Sequence, residues 1–326
     1  MDSHQAKIFS AAGKAQKHIS QEKHICLVPG CTENTISSHS QQRGGQLKAI
    51  AEDGHVYAVE KNIYKNLKRG MSRGTIHYES TPIKLASVFP GYCKHHDSLV
   101  FKPIELTPLE VDNPEQAALL LLRAHSFELL QKKRVHSWTK KFIAESKHLL
   151  TQEVLRVHSL KMRGIEEYLK IDAPYYLNNA FKSITSNQYK NIQSAWVEIP
   201  KNLQVSVSCC LSPLLNHHID YMSENQDEVQ PSVSFSVIPN DNSTHVVVSW
   251  FKTHSKLAYW FKEALADKRE LELLINQCVF GESEDTCLSP SLWTSLSTEE
   301  QTMIKQAVGF TRELELPAPL PRVVKL

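Results

Sequence analysis

Apolar and polar positions alternate most clearly in the second half of the chain. The stretches "AWVEIP" (195–200), "LQVSVSCCL" (203–211), "PSVSFSVIP" (231–239) and "THVVVSWFK" (244–252) alternate, or run apolar with β-branched and aromatic residues. That pattern predicts strands of one mostly antiparallel sheet. Between Asn113 and about residue 170 the chain is rich in helix formers and free of proline after Pro114. Asn113 suits an N-cap, Pro114 the first helical position and Glu115 the positive end of the dipole, so two long helices are expected, with a break near Gly164. Residues 255–279 return to helical spacing, and "STEEQ" at 297–301 reads as a cap with acidic first-turn residues opening a last short helix.

The first hundred residues lack such regularity. Residues 1–25 are polar with weak helical character and read as a lead-in segment. Turn signals crowd 26–105: "VPG" (28–30), "RGG" (43–45), "EDG" (52–54) and "FPG" (89–91). Within them, "QLKAIAEDG" (46–54) predicts a short helix stopped by Gly54, and "HVYAVE" (55–60) a strand. The fold class expected is α+β: a small module over 1–110, then a domain over 111–326 with two long helices, an antiparallel sheet and C-terminal helices.

Charge and composition narrow the function little. A formal charge of +2 over 326 residues announces no bulk nucleic-acid binder, although a local basic patch would still serve. The longest apolar run, "AALLLL" (117–122), is too short for a membrane span, and the N-terminus lacks a signal-peptide layout. The expectation is a cytoplasmic protein with no membrane partner. Seven cysteines, an odd number, argue against a disulfide framework.

Three of those cysteines carry the candidate chemistry. In "CLVPGC", Cys26 and Cys31 are spaced C-x4-C around a Pro-Gly turn, and in "FPGYCKHHD", Cys93 and His96 are spaced C-x2-H after another turn. Zinc takes four such ligands, supplied in two pairs by tight turns. The two pairs predict a treble-clef-like knuckle closed by a helix after Cys93, with His95 open as an alternative fourth ligand.

His39, in "SSHS", and Asp97, directly after His96, extend the pattern. Together with the two ligand pairs they resemble the HNH, or ββα-metal, nucleases over about residues 20–105. The same wording is similar to that of bacterial proteins that open with this module. The resemblance implies a structural Zn²⁺ at Cys26, Cys31, Cys93 and His96, with His39 as the general base that activates water. Asp97 would be a ligand of a catalytic Mg²⁺ or Mn²⁺. It also implies phosphodiester cleavage, in anti-phage defence or as a toxin. The chain departs from the family at Ser38, where many members carry an Asp or His ligand. The Asn that orients the base has no counterpart placed by a motif; Asn62 and Asn66 are candidates, as Asp53 and His55 are for the missing ligand.

Arg43, Lys48, Lys65, Lys68, Arg69 and Arg73, interleaved with Tyr57 and Tyr64, suit a phosphate-binding face. The partner expected is nucleic acid, DNA before RNA, with a protein partner or a second copy of the chain also open. No phosphate loop, dinucleotide fingerprint or nucleophile elbow is present. "NHHID" (216–220) has no second cluster to complete a metal site. The alternative function is a zinc-stabilised module that binds nucleic acid or protein without cutting.

Overall fold

A computed structural model of the chain describes residues 3–70, 77–211, 228–310, 320 and 322–326. The fold is α+β, built on a seven-stranded sheet in which every pairing is antiparallel. Its strands are β2 (His55–Val59), β3 (Tyr78–Pro82), β5 (Ile192–Ile199), β6 (Val205–Leu211), β7 (Val233–Pro239), β8 (Thr244–Phe251) and β9 (Thr286–Leu288), in the order β3-β2-β9-β6-β7-β8-β5. A separate two-stranded pair joins β1 (Ser38–His39) to β4 (Val88–Phe89).

The alternation within β6 and β7 has two uses, because both faces of the sheet are buried. Val205, Val207, Val233, Phe235 and Val237 pack with Val246, Val248 and Trp250 on one face. Ser206, Ser208, Ser234, Ser236 and Ser249 lie buried on the other, the face that also holds Ile238, Val247 and Phe251. These small side chains make a low floor for α6 (Pro114–Ser146), whose Ala118, Leu119, Leu122 and Phe127 share that core. The opposite face is covered by α9 (Ser255–Ala266), α10 (Lys268–Gln277) and α12 (Thr298–Phe310), through Phe261, Leu265, Leu274 and Ile304.

Helix ends follow their capping residues. The Asn113 side chain accepts the Gln116 N–H at 3.1 Å, and Pro114 opens α6 as expected. The break between the long helices falls at 147–151 instead of Gly164, because Thr151 caps α7 (Gln152–Lys170) by accepting the Val154 N–H. Gly164 lies inside α7, where its missing side chain costs about 1 kcal/mol at most. Asp267 divides the expected 255–279 helix by accepting the N–H groups of Arg269 and Glu270. Ser297 and Glu300 form a reciprocal capping box at 3.1 and 2.8 Å. A helix absent from the expectation, α8 (Asp172–Thr185), tolerates Pro174 because the proline sits in its first turn.

Two further elements differ from the pattern reading. The lead-in segment is α1 (Ser3–Ser20), whose Ala11, Ala12, Ala15 and Ile19 bury against Trp138 and Phe142 of α6. Three alanines and one isoleucine on one stripe pack closely without producing a strong apolar signal. The 110/111 boundary is crossed by the main sheet, since β2 pairs with β9 through Tyr57↔Leu288 and Ala58↔Cys287. Val56 and Ala58 of β2 pack around Cys287, so the inward face of β2 finds its cover in the C-terminal segment.

Candidate metal centre

The early knuckle is set by its turn. The Cys31 N–H donates to the Val28 carbonyl at 3.0 Å, with Pro29 and Gly30 between them and Gly30 at φ +81°. That is type II turn order, and the third position requires a residue free to adopt positive φ. The late turn depends on Gly91, where an added Cβ would fall 2.3 Å from the Phe89 ring. Backbone bonds then join the two turns: Leu27 N–H to the Gly91 carbonyl at 3.0 Å, and Ile36 N–H to the Tyr92 carbonyl at 2.8 Å. Cys93 is the N-cap of α4 (Lys94–Val100), which places His96 one turn away on the same side.

These local rules bring Cys26, Cys31, Cys93 and His96 into one cluster, with all four ligand atoms within 4.8 Å of one another. The Cys26 Sγ and Cys93 Sγ lie 3.5 and 3.3 Å from His96 Nδ1, and the Cys31 and Cys93 sulfurs are 4.0 Å apart. Tetrahedral zinc with Zn–S about 2.3 Å and Zn–N about 2.05 Å requires S···S edges of about 3.8 Å and S···N edges of about 3.6 Å. These three edges match that polyhedron to within a few tenths of an ångström, and the other three lie within 4.8 Å. His95 is exposed and outside the cluster. Burial pushes the Cys26 thiol up to about 11, offset in part by the amides of Cys93 and Val28. The Cys93 thiol is held below its ordinary range, chiefly by the His96 backbone N–H. A divalent cation among these sulfurs would hold them as thiolates, and the donor set suits zinc.

His39 occupies β1, opposite Val88. The residues on either side of it explain "SSHS". Ser38 and Ser40 are buried, whereas the His39 side chain points the other way and is half-buried, as strand alternation dictates. The Ser38 hydroxyl accepts the Tyr92 N–H at 3.2 Å, so this position serves the late turn that leads to Cys93. His39 Nε2 lies 3.3 Å from the Ile83 carbonyl. Only an N–H can satisfy a carbonyl, so the neutral ring carries its proton on Nε2 and its lone pair on Nδ1. Burial holds the His39 pKa below the ordinary value, the Ile83 bond and Asp97 work in the opposite direction, and Arg43 and Arg123 add to the depression. Asp97, in the first turn of α4, is thus brought into the electrostatic neighbourhood of His39.

Other candidates take structural partners. Asn62 caps α3 (Ile63–Gly70) by accepting the Lys65 N–H, and Asn66 bridges the Glu60 carbonyl and the His77 N–H. His55 Nδ1–H donates to the Asp53 carbonyl at 2.8 Å, and neither residue joins a metal cluster. Lys65 pairs with Glu60 and Glu79 at 2.7 and 3.2 Å, which consumes much of its charge. Arg43, Lys48 and Lys68 are exposed, Arg69 lies in α3, and Arg73 lies outside the described residues, as does "NHHID". On α6, the basic run 131–141 is divided: Lys133 and Lys140 are exposed and Lys132–Glu128 and Lys141–Glu145 pair at 3.2 and 2.9 Å, whereas Trp138 and Thr139 are buried and burial lowers the Arg134 pKa.

One participant had no signal in the sequence. Arg123 of α6 reaches Glu105 at 2.5 Å, stacks over Phe101 and adds positive potential at His39 from inside the protein. Nothing local to "LLRAH" distinguishes it from a surface arginine. No helix among the described residues is long and apolar enough to cross a membrane. No family model, curated protein or solved structure matches the chain.

Proposed function

We propose that the chain is a metal-dependent phosphodiesterase of the HNH-like kind, with a structural zinc at Cys26, Cys31, Cys93 and His96. The observation that carries the reading is the orientation of His39, whose Nε2–H is spent on the Ile83 carbonyl so that Nδ1 keeps its lone pair. A lowered pKa keeps that ring neutral at pH 7, as a general base requires. Nδ1 then takes a proton from water as the oxygen attacks phosphorus. Asp97 would hold a hydrated Mg²⁺ or Mn²⁺, which when bound stabilises charge on the phosphoryl and leaving oxygens. Waters and substrate phosphate oxygens would complete its coordination. Arg43, exposed beside His39, and Lys48 on the following turn supply contacts to the nucleic-acid backbone.

A second reading, zinc-braced binding without cleavage, draws support from Ser38. Its buried hydroxyl serves Tyr92, leaving no second ligand for a catalytic ion at that position. The test is a plasmid-nicking assay in Mg²⁺ and Mn²⁺ on wild type and His39→Ala, with zinc content measured on both. Loss of about 10²–10⁴-fold in rate with zinc and fold retained supports the base role. Equal rates for the two proteins, or no cleavage by wild type in either metal, sink the nuclease reading and leave the binding module.

A further inference from the structure

The β1–β4 pair that carries His39, two strands separated in sequence by β2 and β3, shares no backbone ladder with the seven-stranded sheet. Among the contacts that join them is a buried carboxylate from the far end of the chain. Asp285 stands one residue before β9, the strand that bonds to both β2 and β6, and its side chain is 1% exposed. Its Oδ2 accepts the hydroxyl of Ser40, the residue after His39, and the hydroxyl of Ser87, the residue before β4, the latter at 3.0 Å. The Ser40 and Ser87 hydroxyls also touch each other, and the Gln41 N–H donates to Ser87 Oγ at 3.0 Å. The Asp285 backbone carbonyl accepts Gln41 Nε2–H at 2.5 Å. Its Oδ1 accepts from Lys61 Nζ at 2.8 Å, while that ammonium lies 4.5 Å from the Phe127 ring centroid.

Both strands of the β1–β4 pair are therefore gripped at the same end by one residue some 245 positions from Ser40. Other links exist, since the Ile83 carbonyl follows β3 and Phe89 of β4 packs edge-on against Phe127 of α6, but Asp285 is the group that bonds the backbone-adjacent hydroxyls of both strands at once. A lone buried carboxylate is costly to desolvate, yet this one is fully coordinated by two hydroxyls and an ammonium. Ser87 adopts φ +57°, a conformation a serine holds only when its surroundings impose it.

We propose that Asp285 is a positioning residue for His39: through Ser40 and Ser87 it sets the β1–β4 pair so that the His39 ring meets the Ile83 carbonyl and keeps Nδ1 free. The inference rests on the reading of His39 as a base, but its first readout does not. The experiment compares full-length wild type with Asp285→Asn, an isosteric change that places an amide among donors. Two-bond ¹⁵N–¹H spectra of the imidazoles report the His39 tautomer, metal analysis reports zinc, and the nicking assay reports rate. The expected result is full zinc content, His39 shifted from a single Nε2–H tautomer to a mixture, and kcat reduced by about 10²-fold at unchanged KM. Should Asp285→Asn fail to fold, Ser87→Ala removes one arm of the clamp and is expected to shift the same His39 signals. His39 resonances identical to wild type in the folded variant overturn the proposal. Wild type that shows the Nε2–H tautomer without cleaving refutes the nuclease reading alone, and the variant's spectrum still decides the role of Asp285.

Discussion

The imidazole of His125 offers a quantitative test of how this core treats charge. It lies on α6, 1% exposed, with its ring 4.1 Å from that of Tyr176 and nearly parallel to it at 7°. Neither ring nitrogen has a hydrogen-bond partner. Burial, and next the nearby His254, lowers its pKa from 6.5 to about 3. The sign follows from which state binds the proton. Below pH 6.5 the unfolded chain takes up a proton that the folded chain refuses, so stability falls as pH falls, and the loss is complete near pH 3. At pH 5 the unfolded state is favoured by a factor of about 30, or about 2 kcal/mol, relative to pH 8. For a domain held by about 5–15 kcal/mol that is a large share. His125→Phe keeps a ring of similar shape against Tyr176 and removes the titration. Urea denaturation of both proteins at pH 8, 7, 6 and 5 should show the variant gaining about 2 kcal/mol on wild type between the extremes. A constant difference across that range would mean that His125 is protonated or hydrated in the folded state, and the account of its burial would be wrong.

Removing a thiol of the candidate metal cluster and breaking an aromatic clasp test other parts of the structure. Cys31→Ser replaces a half-buried thiol of that cluster by a hydroxyl that zinc holds poorly, so on the proposed zinc reading metal analysis after mild chelation should fall from one zinc per chain to well below one. Equal zinc retention by both proteins would show that the cluster is not the metal site. Trp293 on α11 (Pro290–Ser295) stacks on Tyr57 at 5.4 Å and on Tyr78 at 5.0 Å, holding β2 and β3 to the C-terminal segment. Trp293→Ala should cost about 3–5 kcal/mol in chemical denaturation, and a cost below about 1 kcal/mol would mean the stack is not a clasp.

Much of the architecture was determined by short-range pattern. Period-two alternation located β5 to β8 to within a few residues, and Asn113, Pro114 and the Ser297–Glu300 box marked helix starts, because capping is a contact between neighbours in sequence. The paired spacings of Cys26 and Cys31, and of Cys93 and His96, were legible for the same reason: each pair is the product of one tight turn. That the two turns meet, that β2 joins a strand formed by residues 286–288, and that the long helices divide at Thr151 are outcomes of packing between distant segments. The serines flanking His39 show the limit most plainly. From the sequence, Ser38 is only a missing ligand, and Ser40 has no evident purpose. In the folded chain one hydroxyl answers the Tyr92 amide and the other a carboxylate from residue 285, since a buried polar group must find its partner wherever the tertiary structure brings one.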